Sequence, residues 1–493
     1  MNQSLYPSLY QINTRLWFNR LSRELGHPMT LDDIPDKELD RLAALGFEWI
    51  YFLSVWQIGE AGRNISRTKP EWLAEYREVL PDLQVEDICG SGFAITGYTL
   101  NSKLGDSNAL GRLRDRLHQR GLKLILDFVP NHTALDHPWV EEHLDYYIAG
   151  TPSQLAQKPN NYIKLDLSGG SEILAFGRDP YFDGWPDTLQ LNYGNPSLQA
   201  ARIEELLHIA QWCDGLRCDM AMLILPDIFQ KTWGIEMEPF WSKAIQKVHQ
   251  QYPAFVFMAE VYWDMEWRLQ QEGFDYTYDK RLYDHLRYGV PRPVREHFWA
   301  NLDYQPKSVR FLENHDEPRT AKTFAPDVHQ AAAIISFLCP GLRFLHQGQL
   351  EGWQTKVTVH LCRGPEEETD PTLETFYSQL LACLRLDIFR NGTWQLLECQ
   401  PAWETNWTWD CFIAFAWTAQ NGQRAMVVVN YAANQSQCYV KLPWSDLAGK
   451  RFELKDLMNP VSYDVYGDNL LSTGFYLDLS AWGYHVFQIV ESI

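Results

Sequence analysis

The chain has 493 residues, 45% hydrophobic and 22% charged, with 63 acidic against 43 basic side chains and a formal net charge of −20. A chain of this length forms one large domain plus a smaller one and buries a substantial core without covalent staples. The acidic balance leaves no basic surplus to neutralise phosphates, which argues against a nucleic-acid or anionic-membrane partner and suits a neutral substrate.

The opening segment, MNQSLYPSLYQINTR, has no basic region followed by an apolar one, so no secretory signal is expected. Strand-type and helix-type patterns then alternate up to about residue 350. YQINTRLW (10–17) is the first expected strand. WIYFL (49–53) follows a helix closed by Gly46, and KLILDFV (123–129) follows GRLRDRLHQRG, where Gly121 is the expected helix stop. GLRCD (215–219), FVFMAE (255–260), FDYTYD (274–279), SVRFLEN (308–314) and GLRFLH (341–346) complete eight. Apolar strands alternating with helices predict a parallel sheet covered by helices, and eight units over this length predict closure into a (β/α)8 barrel of the TIM type. No glycine fingerprint for nucleotide phosphates follows the first strand.

Residues 133–195 break the rhythm, with much Pro, Gly, Asn and Asp and one short helical stretch near PWVEEHLDYYI; they are expected to form an irregular excursion after the third strand. Beyond about residue 390, CFIAFAWTA, AMVVVNYA, CYVKLPW, FYLDLS and YHVFQIV alternate with turn residues, which predicts an antiparallel β-sandwich. The expected division is therefore a barrel from 1–132 and 196–390, an inserted subdomain at 133–195 and a β domain at 391–493. No apolar run is long enough to span a membrane. The nine cysteines, from Cys89 to Cys438, show no CxxC pair or disulfide-like spacing, so a reduced cytoplasmic protein is expected. The 20 Trp, 24 Tyr and 24 Phe mostly serve the core, but flat rings also stack on the apolar faces of sugars.

Several of these strands end in an acid: Asp127 in LILDFVPNH, Asp219 in GLRCD, Glu260 in FMAE and Asp316 in FLENHDE. An acid after an apolar strand is costly to bury without a partner, whereas the carboxyl face of a barrel gathers such groups into a common pocket. In order and spacing, DFVPNH (127–132), GLRCDMA (215–221), FMAEVYW (257–263) and FLENHDE (311–317) resemble the motifs of the α-amylase superfamily, glycoside hydrolase family thirteen. LNYGNP (191–196) and the β-rich carboxyl end extend the resemblance over nearly the whole chain.

The resemblance implies three catalytic acids. Asp219 attacks the anomeric carbon, Glu260 serves as general acid and then general base, and Asp316 binds sugar hydroxyls as the ring distorts. It further implies substrate-binding roles for Phe93, Asp127, His132, Arg217 and His315. Arg217, two residues before Asp219 on the same strand face, would keep that acid ionised, and Asp127 would serve at least to orient Arg217. Phe93 stands where relatives carry a stacking tyrosine. No resident cofactor is expected. Asn131 matches a calcium ligand of secreted relatives, but the remaining oxygens that calcium needs cannot be assembled from the excursion. No His/Cys cluster suggests zinc.

Three departures bear on specificity. Met220-Ala221-Met222-Leu223 replaces the Lys-His pair common after the nucleophile, Gly97 stands where an aspartate is common, and HQGQLEG (346–352) lacks the usual acid, leaving Glu351 as a substitute or not. The expected substrate is an α-glucan or maltooligosaccharide. Transfer to a sugar acceptor (a 4-α-glucanotransferase) is favoured if Met222 and Leu223 line the acceptor side, and hydrolysis is the alternative if they only pack. Isomerisation, phosphorolysis and a catalytically dead glucan-binding relative remain as minor readings. Oligomeric state cannot be read from the sequence.

Overall fold

The structure is a computed structural model that describes residues 4–492. Its central element is a closed barrel of eight parallel strands: β1 (Ser8–Asn13), β2 (Trp49–Leu53), β3 (Lys123–Phe128), β4 (Gly215–Cys218), β5 (Val256–Ala259), β6 (Tyr276–Tyr278), β7 (Ser308–Arg310) and β8 (Leu342–His346). Neighbours in sequence are neighbours in the wall, and β1 closes the ring by pairing with both β2 and β8. Covered on both faces, these strands are buried almost throughout and mostly apolar rather than alternating, as in parallel sheets.

The eight strands fall where the sequence places them, with two shifts: the seventh is shorter than expected and ends at Arg310, not at residue 314. The first strand ends at Asn13, not at residue 17, because the Asn13 side chain accepts the Leu16 N–H and starts a helix at Thr14. Gly46 and Gly121, in left-handed conformations, follow the helices Asp36–Ala44 and Ala109–His118 and turn the chain into β2 and β3.

The excursion after β3 is more ordered than its composition suggests. His132–Ala134 pairs with Thr188–Gln190, and a two-stranded hairpin, Tyr162–Leu167 with Gly170–Ala175, projects between them. The hairpin is half-exposed, so its apolar alternation is weak, which is why the sequence reads as irregular.

From Thr393 onward two antiparallel sheets form. The larger has six strands, including Phe412–Thr418, Arg424–Asn430 and Tyr484–Glu491; the smaller pairs Ser436–Val440 with Cys399–Gln400 and Phe475–Leu479. The period of two divides Phe412–Thr418 between two cores. Ile413, Phe415 and Trp417 pack toward the barrel, while Phe412, Ala414 and Ala416 face the smaller sheet. The strands Arg451–Asp456 and Ser462–Tyr466 interleave charged residues and are not apparent in the sequence pattern. No helix among the described residues is long and apolar enough to cross a membrane.

Candidate active site

The site is built around one buried arginine. In β4, Arg217 lies on the same face as Asp219, and register sets it opposite Asp127 of β3 and Met258 of β5. Its Nη1 lies 2.7 Å from Asp219 Oδ1 and its Nη2 2.7 Å from Glu260 Oε2. Asp127 Oδ1 and Asp316 Oδ2 stand farther off, at 3.8 and 3.9 Å. Four acids thus face one guanidinium that has no solvent of its own, and without that cation the burial of three of them, Asp127, Asp219 and Glu260, would be prohibitive.

Glu260 follows β5 directly. Its Oε2 accepts the Met220 backbone N–H at 2.7 Å, and its Oε1 accepts the Tyr262 hydroxyl at 3.0 Å. Met220 reaches that position only by adopting a left-handed conformation, φ 42°. Such strain in a non-glycine residue costs about 1–3 kcal/mol, so the turn after Asp219 is held in place by what surrounds it.

The carboxyls differ in acidity. Burial raises Glu260 to about 7, with Arg217 acting against it and the nearby acids with it. Burial raises Asp219 to about 6, offset by the charge and the hydrogen bond of Arg217. Asp219 therefore sheds its proton before Glu260 does. Asp316 behaves differently: its surroundings push its carboxyl up, but His315 and then Arg217 outweigh them and hold it well below the usual carboxylate range.

His315 is oriented by Gln11 of β1. The Gln11 Nε2 can only donate, so His315 Nδ1, 3.0 Å away, accepts, and Nε2 carries the proton that faces Asp316 Oδ2 at 2.9 Å. The Asp316 side chain is 45% exposed, the most open acid of the set. Lys356 Nζ donates to the Asp316 backbone carbonyl. Phe93 lies over this floor, 5.2 Å from the Arg217 guanidinium and 5.5 Å from the His315 ring. His132 is buried against Trp185, and burial, reinforced by Arg202, lowers it to about 3, so it is neutral at any ordinary pH. A cavity of about 300 Å³ runs from Asn314 and His315 toward Glu351 and Trp353.

Asp219, Glu260, Asp316, Arg217, His315 and Phe93 therefore converge, and several expectations need correction. Asp127 is closed off from the cleft: its Oδ1 accepts from the Tyr51 hydroxyl and its Oδ2 from the Ser54 N–H at 2.9 Å, so it braces the arginine and does not reach a sugar. Arg217 is likewise sealed and acts through the acids. Met222 and Leu223 are buried in the short 3-10 helix Ala221–Ile224, so they pack and do not line an acceptor site. Asn131 does not fit calcium. Its Oδ1 accepts from Gln190 Nε2 at 2.9 Å and its Nδ2 donates to Gln190 Oε1 at 3.1 Å, a closed, buried amide pair turned toward Gln190 and not toward an ion that takes about six to eight oxygens. No group of three or more His, Cys, Asp or Glu among the described residues is arranged to hold a metal. Gln11 and Tyr262 were missed in the sequence. Tyr262, two residues past Glu260, could have been found by its spacing, whereas Gln11 contacts the site only through the closure of the barrel.

A closed parallel barrel with unequal buried carboxyls at its carboxyl face defines an enzyme class that works on a substrate with paired acids. The chain belongs to the α-amylase family: a family model described as the α-amylase catalytic domain matches residues 36–395. Alpha-amylase 3 of Dictyoglomus thermophilum is 24% identical over 310 residues, 57% of each chain. The probable oligo-1,6-glucosidase 2 of Bacillus subtilis is 23% identical over 317 residues, 52% of this chain and 55% of that protein. The chain thus spans about half the length of these curated relatives. Among solved structures, a maltogenic α-amylase, AmyB, from Thermotoga neapolitana has the same fold with TM-score 0.69 at 17% identity, covering 99% of this chain and 100% of that one. An α-amylase from Lactobacillus plantarum follows at TM-score 0.67 and 20% identity, covering 99% of each.

Proposed function

We propose that the protein cleaves α-1,4-glucosidic bonds of maltooligosaccharides or glycogen with retention of configuration, through a covalent glycosyl intermediate on Asp219. The observation that carries this reading is the single guanidinium that touches both Asp219 and Glu260. Such close pairing suits double displacement, in which the two carboxyls stand about 5–5.5 Å apart, and not inversion, which keeps them about 6.5–9.5 Å apart to admit a water. Glu260, the weaker acid, gives its proton to the departing oxygen while ionised Asp219 attacks the anomeric carbon. Ionised Glu260 then takes a proton from the incoming acceptor as that oxygen displaces Asp219. Asp316, held ionised by His315, hydrogen-bonds sugar hydroxyls, and Phe93 offers a ring face beneath them.

The acceptor in this proposal is a sugar, which makes the protein a 4-α-glucanotransferase. Support comes from the loop that follows Glu260. There Trp263 packs edge-on against Tyr181 of the excursion at 5.1 Å, and the Tyr181 side is 58% exposed, an aromatic rim next to the acid that would hold a sugar ring. Water as acceptor is the second reading, and the curated α-amylase and glucosidase relatives favour it. Incubation with maltotriose separates the two. Longer oligomers appearing with glucose or maltose support transfer, and shorter products alone, one new reducing end per cleavage, leave hydrolysis. The nine free cysteines suit a reducing cytoplasm, where short glucans serve as donor and acceptor.

A further inference from the structure

Where the barrel meets the C-terminal sheets, a second cleft opens that shares no residue with the catalytic set. One wall is the helix Pro291–His297 and the turn after it, carrying Arg292, Arg295 and Trp299; the other is the segment 396–410, carrying Glu398, Trp403, Glu404 and Asp410. Its volume, about 1130 Å³, is at the upper end of small-ligand sites, which run to about 1,000 Å³.

Two features of the cleft are unusual. The first is its tryptophans: Trp299 is 66% exposed and Trp403 53% exposed, although tryptophan is among the residues most heavily buried on average. Exposed large rings gathered in one concavity mark a binding surface. The second is how the charges are used. Arg292 pairs with Asp410 at 2.7 Å and Arg295 pairs with the same carboxylate, so both cations are neutralised within the protein and neither is left to hold an anion. Arg295 is further fixed by the Asp410 and Phe412 carbonyls. The acceptors that remain are the opposite of an anion site. Glu398 engages only Gln400, and the Glu404 carboxylate makes no hydrogen bond or ion pair among the described residues.

Flat apolar faces beside free carboxylate and amide acceptors match a neutral molecule with many hydroxyl donors and apolar ring faces. We propose that this cleft is a second, non-catalytic binding site for an α-glucan chain, held by Trp299 and Trp403 with hydroxyls donating to Glu404. This rests on the reading of the catalytic site as α-glucan-active, because the chain in the cleft is then the substrate itself. A polymer anchored there stays with the protein between cleavages, an advantage that a short oligomer too small to reach both sites does not gain.

The test uses the full chain and its Trp299→Ala/Trp403→Ala double variant, with Trp403→Ala alone as a milder change. Each is run through native gels with and without glycogen, assayed on maltotriose and sized by light scattering. Both side chains are exposed, so thermal midpoints should match the parent. The proposal expects retardation by glycogen to weaken about tenfold for each ring removed, in the range for a dominant contact residue, while kcat/KM on maltotriose stays within about twofold. Equal retardation of parent and variants, or no retardation of the parent, overturns it. A parent dimer that becomes monomeric on substitution also overturns it, by assigning the cleft to a second copy of the chain. If maltotriose is not turned over by any of the proteins, the failure lies with the catalytic reading; if turnover persists while retardation is unchanged, it lies with the second site alone.

Discussion

Replacing Arg217 with lysine isolates what the guanidinium fork contributes. The substitution keeps one positive charge in the same buried place, but a lysine ammonium is a point charge and cannot stand 2.7 Å from Asp219 and from Glu260 through two separate nitrogens. One of two charge-assisted contacts is lost, and such a contact is worth about 1.5–3 kcal/mol. At about 1.4 kcal/mol per factor of ten, kcat falls roughly 10- to 150-fold if the contact supports the transition state. Loss of the contact to Asp219 also removes a group that lowers that acid, so the acid limb of the pH profile moves upward from about 6. Steady-state kinetics on maltotriose across pH, with a melting curve for each protein, measures both effects. Activity within twofold of the parent together with an unmoved acid limb would refute the argument that Arg217 organises the pair.

The parent enzyme should show a bell-shaped kcat/KM with apparent limbs near 6 and near 7. Activity falls below the first as Asp219 is protonated and above the second as Glu260 loses its proton, and a profile flat from pH 5 to pH 9 contradicts the assignment. Tyr262→Phe removes a donor that favours ionised Glu260, so the alkaline limb should move upward by as much as about one unit with less than about tenfold loss of kcat. A downward move would place Tyr262 in another role. Because Asn131 and Gln190 satisfy each other, EDTA should leave activity and thermal midpoint unchanged, whereas a drop of several degrees, restored by calcium, would reveal an ion held elsewhere.

The barrel was legible because its strands are short, apolar and separated by capped helices, a pattern that local physics alone produces. Five of the six residues that converge were legible because each sits at or shortly after a barrel strand's carboxyl end, where topology and not sequence distance brings them together; Phe93 lies in the loop before the short strand Ile95–Leu100 and was legible only through the resemblance. What stayed hidden depended on register and on side-chain direction. Asp127 carries the same motif signature as the acids that face the cleft, yet Tyr51 and Ser54 turn it inward. Met222 and Leu223 follow the nucleophile in sequence, but a single 3-10 turn after the strained Met220 rotates them into the core. Gln190 lies 59 residues from Asn131 and meets it only through a pairing of two short strands that composition does not announce.

The covalent role of Asp219 is the centre of the account, and trapping tests it most directly. Glu260→Gln should still react with an α-maltosyl fluoride, whose leaving group needs no acid, but it lacks the base for the second step, so the glycosyl–enzyme accumulates. Mass spectrometry of the quenched protein and of its peptides should find one added maltosyl group, esterified to the peptide that contains Asp219. No adduct despite consumption of the fluoride, or an adduct on any other residue, would contradict the account.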